Sequence, residues 1–120
     1  MSQLTDAEVY ARVAEIIEEF EIFECEDCAR AMIEWCGSQG IETTLLKLEI
    51  DYRGYQKRGD KEEYIVSERR GNEAITRNGK HYGVEVRGLV FDNLDNIGRN
   101  REDWIKDFYC QTGGFIISEL

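Results

Sequence analysis

The chain has 120 residues, of which 42% are hydrophobic and 33% are charged, so one ordinary globular domain over residues 1–120 is expected rather than a disordered segment. Its formal net charge of -10 argues against nucleic acid or an anionic membrane surface as the main partner. The sequence has no apolar run near the roughly 20 residues that span a bilayer and no signal-peptide pattern at its start, so we expect a cytoplasmic chain that binds neither membrane nor nucleic acid.

The first forty residues predict two helices. Thr5 and Glu8 have the spacing of a capping box, and apolar residues then recur every three or four positions to about Phe20. A second helix is predicted from Cys25 to Cys36, with acidic residues in its first turn and glycines at 37 and 40 as stop signals. Cys25 begins this helix, where unpaired amides and the helix dipole favour a thiolate.

The rest of the chain predicts mainly strands. We expect strands within 41–52, 62–67 and 74–76, an exposed loop at 53–61, and a hairpin turn at Asn78-Gly79 that leads into the next strand. A loop is expected at 93–99, a short helix over 100–109 with Asn100 as its cap, and a final strand within 113–118. Because helices precede the strands rather than alternate with them, the pattern indicates an α+β domain with N-terminal helices packed on an antiparallel β-sheet.

The only histidine of the chain, His81, is predicted to lie in a β-hairpin. Residues 82–86 alternate between apolar and polar, and the β-prone residues 89–91 follow a turn signal at Arg87-Gly88. A tight turn there would bring Asp92 near His81. An imidazole oriented by a carboxylate is two thirds of a nucleophilic triad, and a nucleophile from elsewhere would complete it.

The four cysteines supply the candidate nucleophiles. Cys25, Cys28 and Cys36 share one predicted helix and cannot all pair locally, so we expect free thiols in a reducing compartment. Cys25 is the first candidate nucleophile and Cys28, one turn later, competes with it. Two other interpretations are open: buried cysteines in a non-enzymatic protein-binding module, or a zinc site formed by Cys25, Cys28, His81 and Cys110, although the last two lack the paired spacing of zinc ligands.

Several short motifs together resemble a known family. The segment Cys25-Glu26-Asp27-Cys28-Ala29, followed by Gly40-Ile41, resembles the nucleophile helix of transglutaminase-like enzymes. With His81 to Val86, Val90 to Asn93 and Arg101 to Trp104, the sequence is similar to the papain-fold toxin domains of bacterial polymorphic toxin systems, from about residue 23 to residue 108.

This resemblance implies a papain-like fold and a Cys-His-Asp triad, with Cys25 as nucleophile, His81 as general base and then acid, and Asp92 orienting the imidazole. It implies a cysteine hydrolase or acyl-transfer enzyme, with no metal or cofactor, that acts as a bacterial toxin or effector on an amide bond of a protein substrate. Protease, deamidase and transglutaminase-like reactions all fit. A cognate immunity protein and delivery to another cell are also implied. Papain has a glutamine before its nucleophile that lines the oxyanion hole, whereas residues 21–24 of this chain include no glutamine.

Overall fold

The computed structural model describes residues 3–53, 64–76 and 78–120. None of the helices in these ranges has the length and apolar character needed to cross a bilayer. The helices are α1 (Asp6–Ile17), α2 (Cys25–Ser38) and α3 (Arg101–Lys106), and a 3-10 turn covers Glu68–Arg70. The strands are β1 (Thr43–Ile50), β2 (Ile65–Ser67), β3 (Glu73–Thr76), β4 (Lys80–Val86), β5 (Leu89–Asp92), β6 (Asp95–Arg99), β7 (Phe108–Tyr109) and β8 (Phe115–Glu119).

The strands form two antiparallel sheets. The larger sheet has the order β6-β5-β4-β1-β8, and the smaller one has the order β3-β2-β7. The predicted α+β fold, with N-terminal helices against an antiparallel sheet, is therefore confirmed. The smaller sheet is an addition to it, built from the short neighbouring strands β2 and β3 and from β7, which lies about forty residues later in the sequence.

Local sequence signals explain where the two long helices begin and end. At the start of α1, the Thr5 side chain accepts from the Glu8 amide while the Glu8 side chain accepts from the Thr5 amide, which is the predicted capping box. At the end of α2, Gly40 has φ +71° and the Ile41 amide bonds back to the Cys36 carbonyl. This Schellman ending needs the left-handed conformation that glycine adopts freely.

Two apolar clusters cover the two faces of the larger sheet. The first contains buried residues of α1 and α2 together with Val84, Val86 and Phe91 from β4 and β5. The second contains Leu46, Leu48 and Ile50 of β1, Val90 of β5, and residues of α3 and the smaller sheet. Alternate strand residues enter different clusters, as the period of two requires. The site described below lies where the two clusters meet at the end of the β4-β5 hairpin.

Three sequence predictions were wrong. Asn78-Gly79 does not close a hairpin, because β3 pairs with β2 whereas β4 pairs with β1 and β5. The Asn78 carboxamide instead accepts from the Thr76 hydroxyl and the Lys80 amide, which forms a local turn between the two sheets. The loop predicted at 93–99 contains β6, and the helix predicted over 100–109 ends at Lys106, after which β7 joins β2. The loop predicted at 53–61 lies, apart from Arg53, outside the described residues.

Candidate active site

A two-residue turn fixes the geometry of the β4-β5 hairpin. Arg87 and Gly88 both have positive φ angles, 46° and 86°, as a type I′ turn requires. The flanking register pairs Val86 with Leu89 and Val84 with Phe91, and its continuation sets Asp92 opposite Gly83. Since side chains of residues 81 and 83 share one face of β4, Asp92 lies diagonally across from His81.

The hairpin brings His81 and Asp92 into contact, as the sequence predicted. His81 Nε2 lies 3.0 Å from Asp92 Oδ2, and both side chains are fully buried. An ionised carboxylate only accepts hydrogen bonds, so His81 Nε2 is the donor. The other ring nitrogen, Nδ1, therefore faces away from Asp92.

Three further donors hold the Asp92 carboxylate. Trp104 Nε1 donates to Oδ2 over 2.9 Å, Arg69 Nη2 donates to the same oxygen over 2.5 Å, and the Leu94 amide donates to Oδ1 over 3.1 Å. Burial alone would raise the pKa of Asp92, but the hydrogen bond and charge of His81, with the charge of Arg69, hold that pKa well below its usual range. Asp92 is therefore an ionised carboxylate in the core.

The environment of His81 favours its charged form. The imidazole packs against the rings of Trp104 and Phe108, with centroids 6.1 Å and 5.0 Å away. Burial opposes protonation, but the hydrogen bond to Asp92 and the interaction with Cys25 outweigh it and raise the pKa of His81 to about 9. Nδ1 is a buried polar atom, and none of the described residues meets it at regular hydrogen-bond geometry. We infer that Nδ1 is the nitrogen that faces the Cys25 thiol.

Cys25 is the first residue of α2, and 9% of its surface is exposed. Within the described residues, no side chain caps α2 at Glu24; the Glu24 carboxylate accepts instead from the Glu21 amide over 2.8 Å. The amides of the first turn of α2 are thus left without a side-chain cap beside the thiol. The structure brings Cys25, His81 and Asp92 together, while their catalytic roles stay predictions.

The competing thiols have different surroundings. Cys28 is completely buried in the first apolar cluster, and burial, with a smaller contribution from Asp92, raises its pKa to about 12. Cys110 lies in the second cluster, where its thiol donates to the Gly114 carbonyl. In the described ranges, no three His, Cys, Asp or Glu side chains are grouped in a way that could hold a metal ion. The geometry therefore favours Cys25 over Cys28 and gives the zinc interpretation no support.

Two residues in contact with Asp92 were not predicted from the sequence as site residues. Trp104, on α3, was expected only to face inward, and the motif from Arg101 to Trp104 in the family resemblance was the available signal. Arg69 lies in the 3-10 turn after β2, and its side chain is only 12% exposed. No local pattern around Arg69 indicates its role, because the partners that bury it lie 23 to 38 residues away.

A shallow groove adjoins the start of α2. It has a volume of about 230 Å³ and is lined by Glu26, Arg30, Ile33, Leu45, Tyr82 and Leu120. Tyr82 follows His81 in β4, and burial, with the nearby charges of Glu26 and Cys25, raises the pKa of its phenol. The groove therefore lies on the helical side of the sheet, next to the residues that follow Cys25 in α2 and His81 in β4.

Comparison with known proteins identifies the family. A family model described as Papain fold toxin 2 matches residues 8–109, a span that includes Cys25, His81 and Asp92. Neither a search of curated proteins nor a search of solved structures found a match. Papain-fold toxins are toxins with the fold of papain-like cysteine enzymes, which are in general hydrolases or acyltransferases. The chain belongs to the papain fold toxin 2 family.

Proposed function

We propose that the chain is a cysteine-dependent hydrolase or acyl-transfer enzyme that acts as a bacterial toxin on an amide bond of a protein substrate. Cys25 is the nucleophile, His81 the general acid and base, and Asp92 the group that orients the imidazole. The observation that carries the proposal is the position of His81, which contacts Asp92 through Nε2 and also interacts with the Cys25 thiol at the start of α2.

The charge distribution supports the first chemical step. A protonated imidazole favours a thiolate beside it, and the thiolate is the attacking form of cysteine. The Cys25 sulfur adds to the amide carbonyl, and the uncapped amides at the start of α2 supply hydrogen bonds to the oxyanion that forms. These amides take the place of the glutamine that papain uses in its oxyanion hole, because no glutamine precedes Cys25 in residues 21–24.

His81 completes both halves of the reaction by moving one proton. The imidazolium gives its proton to the leaving amine as the carbon-nitrogen bond breaks, which leaves a thioester on Cys25. Neutral His81 then takes a proton from the incoming nucleophile, which attacks the thioester and releases the Cys25 thiolate, so the pair of thiolate and imidazolium is restored. Water as nucleophile gives peptide cleavage or deamidation, depending on which amide was attacked, and an amine gives transglutamination.

The groove beside Cys25 is the proposed contact surface for the substrate side chain. Its lining combines apolar residues, such as Ile33 and Leu45, with Tyr82 and the Glu26-Arg30 pair, so it suits part of a polypeptide better than a small anion. An immunity protein that covers this groove and the Cys25 thiol would block the toxin in the producing cell. Delivery into a target cell is part of the same proposal.

The experiment that tests the proposal compares thiol labelling with toxicity. Native protein is treated briefly with iodoacetamide, and the labelled thiol is identified by intact mass and peptide mapping. We expect Cys25 to be labelled first and His81→Ala to slow that labelling at least about tenfold, because the imidazolium that favours the thiolate is lost. In cells that express the chain, Cys25→Ala should abolish growth inhibition, since removal of a triad nucleophile typically lowers turnover by more than about 10⁴-fold.

Cys28→Ala is the matched control, because Cys28 lies one helical turn from Cys25 and is buried. It should keep both the fast labelling and the toxicity. Slow, equal labelling of all four thiols would contradict the proposal and favour a binding module on the papain fold. Toxicity lost in Cys28→Ala but kept in Cys25→Ala would assign the nucleophile to Cys28.

A further inference from the structure

Arg69 connects the smaller sheet to the buried carboxylate of the proposed triad. Its guanidinium bonds to three carboxylates: Nη2 to Asp92 over 2.5 Å, Nη1 to Asp95 over 3.2 Å, and Nε to Asp107 over 2.7 Å. Only 12% of this side chain is exposed. Because all three guanidinium nitrogens of this buried arginine bond to carboxylates, the group is held in one orientation. In that orientation Nη2 donates to Asp92 Oδ2, the oxygen that His81 also contacts.

Asp107 holds Arg69 in that orientation. The Arg69 amide donates to Asp107 Oδ1 over 2.9 Å while Nε donates to Oδ2, so both backbone and side chain of Arg69 are fixed by one carboxylate. The Ser67 hydroxyl also donates to Asp107, and the guanidinium lies 5.7 Å from the centre of the Phe108 ring. These contacts join the end of β2 to the segment between α3 and β7.

Arg69 supplies one of the three positive charges that face the carboxylates around Asp92. The carboxylates of Asp92, Asp95 and Asp107 face the guanidiniums of Arg69 and Arg99 and the imidazolium of His81. The thiols of Cys25 and Cys28 approach the same group from α2. Loss of Arg69 would leave an uncompensated negative charge in the core, which is strongly unfavourable unless a carboxylate takes up a proton.

We propose that Arg69 is a positioning residue for the triad: it holds the Asp92 carboxylate ionised and aimed at His81, and thereby makes the site complete only when the smaller sheet is docked. The proposal rests on the proposed function. Under this proposal, β2 and the 3-10 turn that follows it have a role in catalysis, because they carry the arginine that holds Asp92, and neither β4 nor β5 contains an arginine. Arg69 itself touches no reacting atom.

The pH dependence of Cys25 reactivity separates this role from a purely structural one. Asp92 orients His81 only as a carboxylate, because a protonated acid no longer offers a charged acceptor to Nε2. An opposite charge at hydrogen-bond distance typically moves a carboxyl pKa by about one to three pH units. Removal of Arg69 should therefore raise the pKa of Asp92 and, because Asp92 then orients His81 less well, shift the acid limb of the alkylation profile of Cys25 upward.

The test measures the rate of iodoacetamide labelling at Cys25 from acidic to neutral pH in wild type, Arg69→Gln, Arg69→Lys and Arg70→Gln. Arg70 is the matched control, since it is the next residue and is exposed, and among the described residues its side chain donates only to the Leu94 carbonyl, over 3.3 Å. We expect the upward shift in Arg69→Gln and a wild-type profile in Arg70→Gln. Arg69→Gln with lower thermal stability but an unmoved acid limb would overturn the proposal.

If Arg69→Gln does not fold, Arg69→Lys provides the test of the positioning role. Lysine keeps the positive charge but cannot bond to three carboxylates from one fixed plane, so the rate at neutral pH should fall at least about threefold while the acid limb stays near its wild-type position. A wild-type profile in Arg69→Lys would refute a positioning role. Failure of the proposed function would appear separately: Cys25 of the wild type would be labelled slowly, and His81→Ala would label at the same rate.

Discussion

We expect His81 to stay protonated well above the pH at which a free histidine titrates. Burial opposes its charge, but the hydrogen bond to Asp92 and the interaction with Cys25 outweigh burial and raise the pKa of His81 from 6.5 to about 9. Asp92→Asn removes the larger of the two favourable contributions, so burial should then dominate and the pKa of His81 should fall to 6.5 or below. Cys25→Ala should lower the pKa of His81 by a smaller amount.

The same coupling sets a dependence of stability on pH. The pKa of His81 in the folded chain lies above its unfolded value, so its contribution to stability is fully present below pH 6.5 and is lost as the pH rises through about 9. At about 1.4 kcal/mol per pH unit, His81 taken by itself contributes about 3 kcal/mol, of which about 2 kcal/mol is lost between pH 6 and pH 8, and a proton released by Cys25 as it forms a thiolate offsets this loss. Burial also raises the pKa of Cys28 and Cys36, but stability changes with pH through these thiols only near and above their unfolded pKa of about 8.5, where it falls.

Two measurements check this prediction. Because the chain contains one histidine, its imidazole signals in a proton-carbon NMR spectrum belong to His81 and give the pKa directly. Urea unfolding of Cys25→Ala and of Cys25→Ala/His81→Gln at pH 6 and pH 8 isolates the imidazole from the thiol, and the protein that keeps His81 should lose more stability over this range. A wild-type midpoint at or below 6.5, or a midpoint unchanged by Cys25→Ala, would refute the coupling described here.

The remaining predictions concern packing around the site. Gly83→Ala would set a methyl group 2.7 Å from Trp104 Cζ2, and overpacking of this kind should lower the free energy of unfolding by about 1–3 kcal/mol. Gly37→Ala, which meets nothing within 4 Å, should instead raise it by about 0.5–1 kcal/mol, and urea unfolding measures both. Trp104→Phe removes the indole donor to Asp92, so it should cost about 1–3 kcal/mol and slow Cys25 alkylation. Thr5→Ala removes the helix cap at a cost of about 1 kcal/mol and should leave alkylation unchanged.

The sequence predicted the parts of the site that depend on local structure. A two-residue turn fixes the register of a hairpin, so the approach of Asp92 to His81 followed from the position of Arg87-Gly88. Helix signals likewise predicted Cys25 as the first residue of α2. The sequence did not show which of Cys25 and Cys28 faces the imidazole, because that depends on how α2 packs on the sheet.

The parts that the sequence did not predict depend on contacts between distant segments. Arg69 reaches Asp92 only because β2 pairs with β7 and the smaller sheet packs against the larger one. β6 was missed for a different reason: it is an edge strand, its middle residue Ile97 is 59% exposed, and it has no alternation of buried and exposed residues. A sequence without this alternation predicts a loop, even where the segment forms an edge strand.

The donors around Asp92 decide where the proton goes in the proposed mechanism. Trp104, Arg69 and the Leu94 amide all donate to this carboxylate, and each of these bonds favours its ionised form. Because the pKa of Asp92 lies well below its usual range while that of His81 is raised, transfer of the proton from His81 to Asp92 is strongly uphill. In the proposed mechanism, Asp92 therefore orients the imidazole and does not relay the proton. The proton leaves instead through Nδ1, the ring nitrogen that does not contact Asp92, and goes to the leaving amine.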